Sequence, residues 1–216
     1  LTVGAVDDAP AVANAIADLT VDEDAADLPV DLADTFTDLD NDDTAITKTA
    51  VSSDPDLVAV ALDGDTLTLD FQPDANGAAT ITVTGTSNGK TADEAFTVTV
   101  TAVNDAPAFA MGADLVLAED FAATHTVTAT PGPVPADEVA QPVVYTLAPA
   151  TVAFATVAID PATGLVSVEA IANASGSQTF TVTANDGEAL HNTATATFTL
   201  TVGAVDDAPA VANAIA

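Results

Sequence analysis

The first 17 residues, LTVGAVDDAPAVANAIA, recur unchanged as residues 200–216. A chain that restarts itself at an offset of 199 residues is a linear array, in which each module buries its own core and meets its neighbours end to end. A weaker copy lies inside the period. Val6-Asp7-Asp8-Ala9-Pro10 is echoed by Val103-Asn104-Asp105-Ala106-Pro107 and by Val205-Asp206-Asp207-Ala208-Pro209. Acidic, proline-ended joints about 100 residues apart enclose a segment the size of one β-sandwich. We therefore expect two domains, residues 7–104 and 105–204. Residues 1–6 then close a preceding repeat, residues 205–216 open the next, and the chain reads as an excerpt from a longer array.

Each expected domain ends in its clearest strand signal. Apolar residues alternate with Thr along Ala79–Thr84 and Ala95–Thr101, with Asn88-Gly89 between them, the pattern of a half-buried hairpin. Gln178–Ala184 and Ala194–Val202 repeat it around Asn185-Asp186-Gly187. Further strands are expected at Leu57–Leu62 and Thr66–Phe71 around Asp63-Gly64, at Val143–Leu147, and at Leu165–Val168 after Pro161-Ala162-Thr163-Gly164. The Ala-rich Ala9–Ala17 is expected to be an extended first strand rather than a helix, because it starts at a proline joint and carries no cap. Phe71, Phe96, Phe180 and Phe198 fall at inward positions and are expected in the core. Gly4 and Gly203, in Thr-Val-Gly-Ala-Val, read as joint or bulge positions. The expected fold is all-β: two tandem antiparallel sandwiches in a linear array.

Charge decides which partners such an array can take. There are 33 acidic residues against two lysines, Lys48 and Lys90, and no arginine, for a formal charge of -31. That surface repels phosphate backbones and anionic lipid, so no nucleic acid is expected and no membrane insertion of this segment. Cysteine is absent, which excludes disulfides, thiol catalysis and thiolate metal sites. Oxygen is the ligand type that remains, and it suits Ca²⁺ or Mg²⁺. Residues 7–104 hold 21 of the acids and both lysines, and residues 105–204 hold 10, so the first domain has the greater need of cations. Catalysis is not expected. His125 and His191 stand in no ligand spacing, and with no Trp and one Tyr (Tyr145) the chain lacks the platforms a glycosidase would place beside its paired acids.

The joints and strand endings resemble the cadherin-like, immunoglobulin-like tandem repeats of giant bacterial surface proteins and adhesins. The residues that carry the likeness are Thr97–Phe109 (TVTVTAVNDAPAF), Val21-Asp22-Glu23-Asp24 and Leu117-Ala118-Glu119-Asp120 after each first strand, Phe36-Thr37-Asp38-Leu39-Asp40-Asn41-Asp42-Asp43, Ile159–Gly164 (IDPATG), and Ala184-Asn185-Asp186-Gly187. The resemblance implies Ca²⁺ held at each joint. Carried over by position, the central joint would use Glu23, Asn104, Asp105 and Asp186. The joint into the next copy would use Glu119, Asp206 and Asp207 with that copy's equivalents of Asp40 and Asp42, and Asp7 and Asp8 repeat the role of Asp206 and Asp207. Two departures stand out. Pro131-Gly132-Pro133-Val134-Pro135 replaces the Asp-x-Asp loop in the second domain, leaving Asp137 and Glu138 as substitutes, and Thr86-Ser87-Asn88-Gly89 lacks the carboxylate of the Ala-x-Asp-Gly turn. From the residues alone the joint acids also fit a solvated linker, and Asp38–Asp43 equally fits an Asx-stabilised surface loop. Asp54, Asp56, Asp74, Asp93 and Glu94 read as solubilising charge.

These readings lead to an extracellular, cell-surface structural repeat, calcium-stabilised, that extends and stiffens a fibre or adhesin through contact with neighbouring repeats of the same chain. Two alternatives come from other classes. A subunit that self-associates laterally into a filament, sheath or matrix would need open strand edges or apolar patches. A carbohydrate- or protein-binding module would need an exposed aromatic cluster, which the low aromatic content disfavours.

Overall fold

Alternation of Thr with apolar residues lays down the central strands of each unit. In the computed structural model, residues 6–208 are described, and the chain divides into two units, Leu1–Val103 and Asn104–Ala216. The first unit holds β1 (Ala11–Val12), β2 (Leu19–Asp22), β3 (Leu28–Asp31), β4 (Phe36–Thr37), β5 (Thr47–Ser52), β6 (Val58–Asp63), β7 (Thr66–Phe71), β8 (Gly77–Ser87) and β9 (Lys90–Thr101). The second holds β10 (Phe109–Met111), β11 (Leu115–Ala118), β12 (His125–Val127), β13 (Ala129–Pro131), β14 (Val144–Ala148), β15 (Ala155–Ile159), β16 (Val166–Ala170), β17 (Gly176–Asn185) and β18 (Thr193–Gly203). Among the described residues the helical structure is one 3-10 turn, Asp43–Ala45.

In unit 1 a four-stranded sheet runs β2-β9-β8-β5 and a three-stranded sheet β3-β7-β6. Unit 2 repeats the arrangement with β11-β18-β17-β14 and β12-β16-β15. This is the strand order of an immunoglobulin- and cadherin-like sandwich. One pairing in each unit departs from the antiparallel expectation: β2 lies parallel to β9, and β11 parallel to β18. Each unit opens with a short strand in a two-stranded sheet of its own (β1 with β4, β10 with β13), and the strand that follows joins the edge of the four-stranded sheet beside the last strand, running the same way. The stretch Ala9–Ala17, expected as an extended first strand, is not helical, but only Ala11–Val12 of it is strand and the chain bends at residues 13–14.

The Thr/apolar strands point their apolar halves inward. Ile81 sits opposite Phe96 and Ala79 opposite Val98, and all four are buried with Leu32, Phe36, Val58, Leu67 and Leu69. Unit 2 has its own core around Val166, Val168, Phe180, Val182, Phe198 and Leu200. There Phe180 pairs with Phe198 and their rings stack, with centroids 5.3 Å apart. Each buried Phe contributes about 1.5–3 kcal/mol of apolar transfer, so the few aromatics serve as core anchors. Gly85 is fixed by this packing, since a Cβ there would lie 2.7 Å from the Phe36 ring.

The β8–β9 hairpin turns on Asn88 (φ 47°) and Gly89 (φ 82°), the left-handed pair a two-residue turn of this kind requires. The β17–β18 connection is longer than expected and runs from Asp186 to Asn192, with the Asp186 N–H bonded to the Asn192 carbonyl. Gly203 pairs with Ala118 at the end of β18, whereas Gly4 lies outside the described residues. His125 opens β12, and His191 lies in the β17–β18 connection. No described helix is long and apolar enough to cross a membrane.

Candidate metal-binding ends

Three segments meet at the N-terminal end of unit 1: the entry segment before β1 with Asp7 and Asp8, the loop after β4, and the β8–β9 turn. The loop folds around its own carboxylates. Asp38 Oδ1 accepts the N–H groups of Asp40 (2.9 Å) and Asn41 (3.1 Å). Asp43 Oδ1 accepts the Asp38 N–H at 2.7 Å. Asp42 Oδ1 accepts both the N–H (3.0 Å) and the hydroxyl (2.8 Å) of Thr44, capping the 3-10 turn. The loop then holds the joint: Asp40 Oδ2 accepts the Asp8 N–H at 2.7 Å, and the Asn41 amide donates to Asp7 Oδ1 at 2.9 Å. From the turn, the Lys90 ammonium donates to the Asp7 backbone carbonyl and lies 3.4 Å from Asp7 Oδ2.

Asp38 is 8% exposed, and its Oδ2 is shut off from solvent without accepting a hydrogen bond of good geometry. The Ser87 hydroxyl beside the carboxylate, then the Asp40 N–H, hold its pKa below the usual carboxylate value. Asn41 and Asn88, with Lys90, lower that of Asp7, and the Thr44 N–H and hydroxyl lower that of Asp42. A buried, ionised oxygen whose neighbouring donor, the Ser87 hydroxyl, makes no well-aligned hydrogen bond is costly to leave alone. It is the feature by which oxygen ligands at this end fit a hard divalent cation.

At the other end of unit 1, Glu23 is 6% exposed, and its Oε1 accepts the Val103 N–H at 2.5 Å. The next residue, Asp24, is left-handed (φ 58°) and accepts the N–H of Asp74 (φ 53°) at 3.2 Å. Their carboxylate oxygens come within 4.8 Å of one another. By sequence Asp24 stands in the motif after the first strand but outside the ligand set, and Asp74 reads as solubilising charge. The signal was its position three residues before Gly77, matched in the second unit by Asn173 before Gly176.

Unit 2 reproduces the contacts with different residues. The Asp105 N–H donates to Glu138 Oε1 at 2.5 Å, as Asp8 does to Asp40. The Gln141 amide donates to Asn104 Oδ1 at 3.0 Å, as Asn41 does to Asp7. Glu138, which the sequence offered only as a substitute, is therefore the counterpart of Asp40. Asp186, 5% exposed, accepts the Asn104 amide at 3.3 Å through Oδ2 and the Glu188 N–H at 3.0 Å through Oδ1. Within unit 2, Asn104, Asp105 and Asp186 are thus brought together with Glu138 and Gln141. His191 Nδ1 stands 3.2 Å from the Asn104 carbonyl. At the C-terminal end, Glu119 Oε1 accepts the Val205 N–H at 2.7 Å, and Asp120 (φ 59°) accepts the N–H of Asn173 (φ 53°) at 2.9 Å. Asp206 and Asp207 are exposed. Glu23 and Glu119 hold equivalent positions, and so do Asp24 and Asp120. The carboxylate of Asp74, however, becomes the amide of Asn173.

No protein-family model matches this chain, and no curated protein matches it. Solved structures do. An endo-fucoidan hydrolase of glycoside hydrolase family 107 is 18% identical with a TM-score of 0.36, over 92% of this chain and 29% of that one, so the chain spans under a third of that protein. Protocadherin gamma C5 EC1-3 is 16% identical with a TM-score of 0.44, over 90% of this chain and 68% of that one. The titin domains Z1Z2 in complex with telethonin are 15% identical with a TM-score of 0.33, over 94% and 100%. The immunoglobulin- and cadherin-like assignment rests on this chain's own strand order.

Proposed function

We propose that this chain is a structural repeat of a secreted, calcium-stabilised bacterial surface fibre or giant adhesin, serving as a spacer that extends and stiffens. The carrying observation is the unchanged recurrence of 17 residues after one pair of sandwiches, because near-identical tandem copies suit length rather than a diversified binding surface. A closing strand such as Thr193–Val202 spans about 33 Å at roughly 3.3 Å per residue, so reach grows with copy number.

Calcium enters through the chemistry of the unit ends. Each presents carboxylate, amide and carbonyl oxygens from two or three loops, and at one of them the buried Asp38 Oδ2 has no well-aligned hydrogen bond. In unit 1 the candidate ligands are Asp7, Asp8, Asp38 and Asp40 at one end and Glu23, Asp24 and Asp74 at the other. In unit 2 they are Asn104, Asp105, Glu138 and Asp186 at one end and Glu119 and Asp120 at the other. Ca²⁺ supplies charge neutralisation for a chain of formal charge -31, and extracellular modules typically bind it at about 10⁻⁴–10⁻³ M. Thermal unfolding and small-angle scattering of the 216-residue chain, in calcium and then in chelator, test the reading. A higher melting temperature and a longer particle in calcium are expected, and superimposable curves overturn it. Analytical ultracentrifugation under the same two conditions separates a monomeric strut from a laterally assembling subunit.

A further inference from the structure

Of the two lysines, Lys48 is spent inside unit 1: its side chain is 4% exposed and pairs with Asp65 at 2.5 Å. Lys90 is placed otherwise. It stands at the start of β9, immediately after the Asn88-Gly89 turn, with its side chain 44% exposed. Its ammonium reaches back across the N-terminal end of the unit to the Asp7 carbonyl, 3.4 Å from Asp7 Oδ2. The same Asp7 is bound by Asn41, whose backbone N–H also anchors Asp38 Oδ1. Asp38 Oδ2, shut off from solvent and without a well-aligned hydrogen bond, belongs to the same carboxylate. A tethered ammonium therefore occupies one carbonyl and faces one carboxylate of the oxygens a divalent cation would draw on.

We propose that Lys90 is a built-in competitor for the divalent cation at the N-terminal end of unit 1, and that it sets the calcium affinity there. The inference rests on the calcium reading above and deepens it. Calcium must displace the ammonium from Asp7 or bind beside it against its charge, and either reduces affinity. Unit 2 lacks the device. The equivalent carbonyl, on Asn104, faces His191 Nδ1, and the residue that carries it has a neutral side chain. A unit charge about 5 Å from a divalent ion in water opposes binding by an amount equivalent to about tenfold in affinity.

The test is a residue-resolved NMR titration of the whole 216-residue chain with CaCl₂ at fixed ionic strength, comparing wild type with K90Q, K90R and K48Q. The amides of Asp40 and Asn41 report on the Lys90 end, and those of Asp105 and Asp186 on unit 2. In K90Q the midpoint at Asp40 and Asn41 is expected at about tenfold lower calcium, with the unit 2 midpoints unmoved. K90R keeps the charge and is expected to keep the wild-type midpoint, and K48Q to leave it within about twofold. A K90Q midpoint equal to or above wild type overturns the proposal, as does a K90R midpoint that falls with K90Q. If unit 2 responds to calcium and the Lys90 end responds in neither wild type nor K90Q, the competitor role falls alone. If no amide in the chain responds, the calcium reading falls with it.

Discussion

The N-terminal ends of the two units make the same contacts with different residues. Unit 1 holds its joint with Asp40 and Asn41 from an aspartate-rich loop; unit 2 uses Glu138 and Gln141 from a loop that begins in prolines. The shared element is a backbone N–H of the joint, Asp8 or Asp105, presented to a loop carboxylate, together with an amide presented to the preceding side chain. The loops are thus constrained by what the joint backbone must bond to, and any residue whose oxygen reaches that N–H will serve. The difference is in burial and charge. Both ends bury one carboxylate, Asp38 or Asp186, but the one that accepts the joint N–H is buried in unit 2 (Glu138, 6% exposed) and exposed in unit 1 (Asp40), which also adds Lys90.

Each end belongs to its own sandwich, and the largest predicted effect tests this. Phe96→Ala and Phe180→Ala each remove a buried ring from one core, at a cost of about 3–5 kcal/mol. Each should lower the thermal transition of its own unit only, as followed by calorimetry and by amide signals from the other unit. Joint loss of both units' signals in either variant would remove the basis for comparing them. Next in size is the burial contrast. Glu138→Ala strips a nearly buried acceptor from the Asp105 N–H, which should cost about 1–3 kcal/mol. Asp40→Ala, at an exposed site, should cost clearly less. Equal losses by denaturant unfolding would show that burial does not separate the two ends.

Much of the sandwich was legible because period-two alternation is a strong signal when one face is buried. β7 matches its expected bounds, β8 and β9 run longer by a few residues, and the inward Phe positions are buried. Legibility failed where a strand lies at an edge or carries prolines and acids. Leu28–Asp31, with Pro29 inside it, pairs on one side only, so proline is tolerated there and the alternation is diluted. The candidate ends were half legible. Asp7, Asp8 and Asp105 stand in a motif, and their partners in unit 1 follow a recognisable loop. Glu138, Gln141 and the Asp24–Asp74 approach arise from tertiary geometry, which no local spacing records. Asp42 shows the opposite limit, since it stands in the motif yet uses Oδ1 to cap a turn.

Acid sharpens the contrast further. Asp7, Asp38 and Asp42 all lie at one end of unit 1 and have pKa values below the ordinary 3.8. Their contribution to stability is fully present above that value and is lost as the pH falls through the lower folded values. NMR across pH 6 to 2 should show the Asp38–Ala45 loop holding its structure to about pH 4 and loosening below it. Ser87→Ala removes the largest cause of the Asp38 shift, so the Asp38 titration should move upward. An unchanged Asp38 midpoint would mean that the Ser87 hydroxyl does not stabilise the carboxylate.

The smallest effect comes from the C-terminal ends, where the units differ by one group. Asp24 in unit 1 has Asp74 beside it, and Asp120 in unit 2 has Asn173 with the same left-handed backbone and the same N–H contact. Asn173→Asp therefore replaces an amide by a carboxylate without asking for a new conformation, since aspartate tolerates φ near +50°. Without metal, two carboxylates at this distance repel, so the melting temperature of unit 2 in chelator should fall slightly. In calcium the added charged oxygen should tighten binding at this end by about threefold, because charge count is a main determinant of affinity for hard cations. The opposite signs with and without metal are the informative part. A substitution that only disturbed the loop would lower stability under both conditions, and a merely solubilising carboxylate would change neither.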